Sequence, residues 1–175
     1  IESAAASYSS EWMSADKVLA TYEFQRRYGE VEISVLTPEF TLAPAGFCDK
    51  ESAAGMLSEV AEVHDEDAVE TVDVPEYGAV LIDSPLSAGD LAQVISETVL
   101  LSDGTKSRPH PEIYYMLRSL PSLEEHNKIL ASYADGVLYL AVAQGRNLML
   151  CNSFKAQDFT TAEYFIFMVM KRLQL

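Results

Sequence analysis

Three histidines, two cysteines and a dense run of acids are the residues in this 175-residue sequence whose types could do chemistry. His64, His110 and His126 stand far apart in the chain. Of these, only His110 has a suggestive setting, between Pro109 and Pro111 with Arg108 close by, where an imidazole could exchange protons near neutral pH. A solvated loop histidine is the simpler reading. The acids Glu59, Glu62, Asp65, Glu66, Asp67, Glu70, Asp73 and Glu76 could in principle hold a hard cation, but they lack the glycine and terminal glutamate of a calcium loop. They read as a solvated face and loop. Cys48 and Cys151 have neither a CxxC partner nor a nearby histidine, so no metal site or redox pair is indicated. GxSxG, GxxxxGK[ST] and HExxH motifs are all absent, which leans the reading away from an enzyme.

The elements that would position these residues are clearest in the last third. Residues 129–133, 137–143 and 148–154 read as strands, separated by the turn formers Asp135-Gly136 and Gly145-Arg146-Asn147, which gives two successive hairpins. Asp135-Gly136 by itself is a plain type I′ turn signal. A helix follows, with Thr160 and Glu163 in capping-box spacing. Its body from Tyr164 to Met170 is apolar all round, so it calls for cover on more than one face. The sequence starts at Ile1 and stops inside this helical pattern, so the expectation is a fragment of a longer protein or a chain completed by a partner.

Upstream, residues 1–11 read as a poorly ordered lead-in to Trp12, and residues 17–29 fit neither helical nor strand periodicity. Alternation over 30–36 predicts a strand. Thr37-Pro38 then turns it into a second strand, Phe40 to Ala43, as a first hairpin. A helix capped by Asp49 is expected from 49 to 63, strands over 70–74 and 79–83, and an amphipathic helix over 87–101. Residues 102–111 are rich in breakers and read as a loop, and a helix from Pro111 runs through Leu117 and Leu120 to Pro121. A faint repeat places Leu42 to Phe47 and Leu150 to Phe154 each before a helix.

Composition adds limits. Nearly half the residues, 49%, are hydrophobic, enough for one substantial core or two small ones. No apolar run approaches the roughly 20 residues of a membrane-spanning helix. Residues 128–175 hold Lys128, Arg146, Lys155, Lys171 and Arg172 against Asp135, Asp158 and Glu163. The remainder carries the rest of the net charge of −15 and more. So acidic a chain repels phosphate backbones, and nucleic acid is not expected as a partner. Two reduced thiols and no visible signal peptide lead to an expectation of a cytoplasmic protein.

Three segments resemble an uncharacterised family of bacterial proteins, common in the Bacteroides group, with the fold of actin-like ATPases. They are Phe40-Thr41-Leu42-Ala43-Pro44 with Phe47, the strand Val137 to Val142, and Leu148 to Phe154 followed by Asp158 and Tyr164-Phe165. The resemblance spans most of residues 30–175. It implies an α/β, mixed α+β fold of the actin-like (ribonuclease H-like) class, incomplete in this chain, with hairpin sheets each covered by helices. Residues 1–127 would be the acidic first half, and 128–175 the three-stranded meander and helix that open the second. In actin-like ATPases, Asp and Gly in the first hairpin turn of each half grip nucleotide phosphates. Here the matching turn retains only Asp135 and Gly136, a vestigial cofactor-binding pair, and the first-half counterpart Arg26-Arg27-Tyr28-Gly29 contains no acid.

The expected function is therefore a non-catalytic interaction or assembly module that binds a protein partner or itself. ATP and magnesium are not supported by intact motifs, and no catalytic or metal-binding residue is assigned. Two alternatives stand beside it. One is an ATPase or sugar-kinase-like enzyme whose remaining motifs lie outside this chain, and the other is a small-molecule-binding domain of unrelated fold.

Overall fold

The computed structural model describes residues 20–63, 69–84 and 101–175, together with Lys17 and Thr98. Its strands are β1 (Ile33–Val35), β2 (Phe40–Pro44), β3 (Glu70–Val74), β4 (Ala79–Asp83), β5 (Pro109–Pro111), β6 (Asn127–Ala134), β7 (Val137–Gln144) and β8 (Asn147–Lys155). Its helices are α1 (Lys50–Ser58), α2 (Glu112–Ser119) and α3 (Phe159–Leu173). The lead-in 1–11, His64, the acids at 65–67 and nearly all of the helix expected over 87–101 lie outside the described residues.

Two three-stranded antiparallel sheets carry the fold, in the orders β2-β4-β3 and β6-β7-β8. The central strand of each has a helix-packed core on both faces, so its sequence is a continuous apolar run, as burial on two faces requires. In β4, Val80 and Ile82 pack with Ala53 and Leu57 of α1, while Leu81 turns to the opposite face. In β7, Leu140 and Val142 pack with Val169 of α3, while Tyr139, Ala141 and Ala143 face the other way. Ile113, Met116, Leu117 and Leu120 join Leu81 and Tyr139 in one cluster, so α2 and the residue after it tie the two sheets together. This cluster draws on residues from both sides of position 127.

The β6-β7-β8 meander and α3 follow the sequence expectation closely. The cap of α3 is corrected: the helix starts two residues before the expected Thr160-Glu163 box, with Asp158 as N-cap accepting a 2.7 Å hydrogen bond from the Thr161 amide. That carboxylate already satisfies an orphan amide of the first turn, so the Thr160 hydroxyl falls inside the helix. Among the described residues, the helix expected to be covered on more than one face is covered on one. Ala162 and Val169 are buried, whereas Tyr164 and Phe167 are 64% and 65% exposed.

The first hairpin expected from 30–43 does not form. β1 instead pairs in parallel with β5, and β2 pairs with β4. Thr37, fully buried, and Pro38, whose carbonyl accepts from Ser153 Oγ at 3.0 Å, carry the chain from one sheet to another instead of folding it back. The breaker-rich loop 102–111 accordingly ends in a short strand, β5. Helix α1 keeps its Asp49 cap, with Ser52 completing the capping box, but stops at Ser58, short of residue 63. Among the described residues, 20–26 form turns and bends, and Tyr28 bridges to Leu101. Of the two segments in the faint repeat, the one in β8 closes a hairpin, while β2 leads to α1 without one.

Candidate functional site

The turn singled out from the sequence is a two-residue loop between the paired residues Ala134 and Val137. Asp135 and Gly136 both have positive φ, 50° and 74°, as a type I′ turn requires of its two central residues. The turn is wired into its own hairpin and the next junction. Gly136 O accepts from Ala156 N at 2.8 Å, and Tyr133 Oη donates to Ala156 O at 3.2 Å. A Cβ placed on Gly136 would sit 3.6 Å from Ala156 O, an ordinary contact, so any cost of substitution comes from the backbone angle. Gly136→Ala should therefore destabilise the protein by about 1–2 kcal/mol. Asp135→Asn should stay within about 0.5 kcal/mol of wild type, because Asn-Gly suits the same turn. Thermal or urea unfolding reads both.

The first-half counterpart is similarly occupied with holding the chain. Arg27 Nη1 lies 3.5 Å from Leu101 O, Ser102 N donates to Tyr28 O at 2.7 Å, and Tyr28 Oη donates to Glu23 O at 2.7 Å. Arg26 lies over the Tyr22 ring.

His110, the histidine with the most suggestive sequence setting, lies in β5 against the rings of Tyr114 and Tyr115, with centroids 4.5 and 6.2 Å away. Burial, then the Arg108 charge, push its pKa below the usual imidazole value, so the neutral form dominates at pH 7. Arg108 does not engage the ring through a hydrogen bond. Its Nε and Nη2 both reach Glu70 Oε2, at 3.0 and 2.6 Å. His126 sits at the other sheet, where its carbonyl accepts from Gly145 N. Cys151 is partly buried against the main cluster, and burial lifts its thiol pKa to about 12; Cys48 is likewise raised. Both thiols therefore stay protonated at neutral pH. Among the described residues no group of three or more His, Cys, Asp or Glu side chains could hold a metal ion.

One titratable residue escaped the sequence reading. Asp83, the last residue of β4, is only 4% exposed and stands directly across from Glu70 in the hairpin register. Burial, then the Glu70 charge, push its pKa up to about 7, with Arg108 pulling the other way. A signal existed: counting outward from the turn over 75–78 pairs Glu70 with Asp83. A carboxyl that titrates near neutrality suits acid–base chemistry when it opens on a cleft. Asp83 does not line the groove beside β3. That groove, of about 620 Å³, is lined by Thr71, Val72, Asp73, Pro75 and Glu76 together with Arg108, Tyr114 and Arg118. Arg118 lies over the Tyr114 ring, 5.7 Å from its centroid, and meets Glu32 at 3.3 Å.

With this geometry in hand, similarity to known proteins is informative. Residues 13–175 match the family described as "Protein of unknown function (DUF3822)". The solved structure of a Bacteroides thetaiotaomicron protein with actin-like ATPase fold and unknown function is similar, with a TM-score of 0.64 at 17% sequence identity. The match covers 91% of this chain and 61% of that one, so the chain spans less than two thirds of the length of its structural relative. No curated protein matches. The fold is thus the actin-like ATPase fold anticipated from the three segments around Phe40, Val137 and Leu148.

Proposed function

We propose, from the premise that this chain belongs to the DUF3822 family of proteins of unknown function and has an actin-like ATPase fold, that it is a non-catalytic interaction or assembly module. The observation that carries this reading is the outer stripe of α3. Phe159, Tyr164 and Phe167 are each more than 60% exposed, while the inner stripe packs on the β6-β7-β8 sheet. Large exposed aromatic side chains gathered on one helix mark a surface for protein contact, with another protein or with a second copy of the chain. The Asp135-Gly136 turn supports the same reading, because its geometry is fully accounted for by closing a hairpin.

In this proposal residues 1–127 form the first actin-like half and 128–175 open the second. ATP and magnesium are not cofactors, and the net charge of −15 disfavours nucleic acid. Among the described residues no helix is long and apolar enough to cross a membrane. A reducing, cytoplasmic setting belongs to the same proposal, and the two free cysteines are compatible with it. A second reading, an ATPase or sugar-kinase-like enzyme with further motifs elsewhere, draws on the 61% coverage of the solved relative. Phosphate release from ATP with magnesium separates the two. No turnover above buffer is expected from this chain, and turnover abolished by Asp135→Asn would overturn the proposal.

A further inference from the structure

We propose that the outer stripe of α3 is a two-fold interface with a second copy of this chain, in which two α3 helices lie antiparallel and set Glu163 against Arg172, Tyr164 against Lys171 and Phe167 against Met168. The inference rests on the interaction reading above and names the partner.

The stripe follows from helical spacing. Glu163, Tyr164, Phe167, Met168, Lys171 and Arg172 are all exposed and recur at intervals of three and four, so they line one face. Ala162 and Val169 are buried on the opposite face, where Ile166 and Leu173 also pack against the β6-β7-β8 sheet. Nine large hydrophobic side chains are exposed among the described residues, and Phe159, Tyr164, Phe167 and Met168 put four of them on this one helix. Such a concentration marks a contact surface.

The order of residues along the stripe selects what covers it. Glu163 is the only acid within α3, and Lys171 and Arg172, both in its last turn, are its only bases. Reversing the helix about a point between Phe167 and Met168 therefore brings the acid of each copy to the bases of the other. Glu163 meets Arg172 as an ion pair, the Lys171 ammonium lies over the Tyr164 ring, and the Met168 thioether meets the Phe167 ring. Each contact occurs twice about the axis, as a self-complementary interface requires. A parallel pairing would instead oppose like charges at both ends of the stripe. The helix dipoles also favour the antiparallel arrangement.

Longer-range charge limits the affinity. Each copy carries a net charge of −15, so two copies repel at low salt. At physiological ionic strength the Debye length is about 8 Å, which screens this repulsion and spares contacts at the seam. One helix face is smaller than the roughly 800 Å² per partner of a standard interface, so the expected dissociation constant is on the order of 100 μM.

The test is sedimentation equilibrium of the 175-residue chain from micromolar to millimolar concentration at physiological ionic strength. A monomer–dimer equilibrium without larger species is expected, because a two-fold pairing closes on itself. Phe167→Asp should weaken dimerisation about tenfold or more, whereas Phe47→Asp, at a site 78% exposed outside α3, should leave it unchanged. Glu163→Lys and Arg172→Glu should each weaken it about tenfold, because either one turns both ion pairs into like-charge pairs. An equimolar mixture of those two variants should associate about as tightly as wild type, since their charges then match across the axis. Circular dichroism reports whether each variant is folded, and recovery in the mixture requires that both are. A chain still monomeric at millimolar concentration, a dimer unaffected by Phe167→Asp, or a mixture no tighter than its components would overturn the proposal. ATP turnover enters none of these results, so failure here and failure of the non-catalytic reading are told apart.

Discussion

Asp83→Asn is expected to raise stability at pH 8 by up to about 4 kcal/mol relative to wild type, and the gain should disappear below about pH 4. The Asp83 carboxyl is 4% exposed and faces Glu70 across the hairpin, and its pKa moves from 3.8 in a free chain to about 7 in the fold. Each tenfold change in proton affinity is worth about 1.36 kcal/mol, which puts the penalty on the ionised folded form at roughly 4 kcal/mol. The folded state holds the proton more tightly than the unfolded state. The contribution of Asp83 to wild-type stability is therefore greatest below pH 3.8, falls as pH rises toward 7, and levels off above that. Asparagine keeps the shape and an acceptor oxygen but cannot ionise, so it removes this slope. Urea unfolding of both proteins at pH 4, 6 and 8 measures the difference, in which the general repulsion of an acidic chain largely cancels. Equal stabilities across the range would contradict the assignment.

Leu117→Ala should cost about 2–5 kcal/mol, the range for removing a large buried side chain whose surroundings relax only in part. Leu117 is fully buried in α2 and shares its cluster with Leu81 of one sheet and Tyr139 of the other. A cavity there loosens an apolar cluster common to both sheets. Val60→Ala, at a site 64% exposed after α1, should change stability by less than about 0.5 kcal/mol and serves as the control. Denaturant unfolding reads both. A Leu117→Ala loss below 1 kcal/mol would show that α2 does not couple the sheets.

The sequence was most readable where neighbours in the chain are also neighbours in space. The β6-β7-β8 meander is built from two-residue turns, and Asp135-Gly136 and Gly145-Arg146 announce them by residue type. The β3-β4 hairpin is local for the same reason. Thr37-Pro38 looked like a hairpin turn because proline punctuates strands, but nothing in residues 30–43 reveals that β1 finds its partner in β5, more than 70 residues on. Parallel pairing leaves no turn signature between its strands. The cap of α3 was read at Thr160 from its spacing to Glu163, and the hydrogen bond that Thr161 N donates to Asp158 places it two residues earlier.

The site residues divide in the same way. The shape of the Asp135-Gly136 turn follows from its dipeptide, whereas the burial of Asp83 depends on tertiary packing. In sequence Asp83 is an ordinary acid before Ser84-Pro85, and its register with Glu70 needed a count across the hairpin. The Arg108–Glu70 pair and the Arg118–Tyr114 contact join segments that only the fold brings together or aligns.

Titration of fluorescently labelled ATP with magnesium into this chain tests most directly whether Asp135-Gly136 closes a hairpin or grips a nucleotide. The expected result is no saturable binding up to millimolar nucleotide, with Asp135→Asn indistinguishable from wild type. Saturable micromolar binding that Asp135→Asn weakens would contradict it.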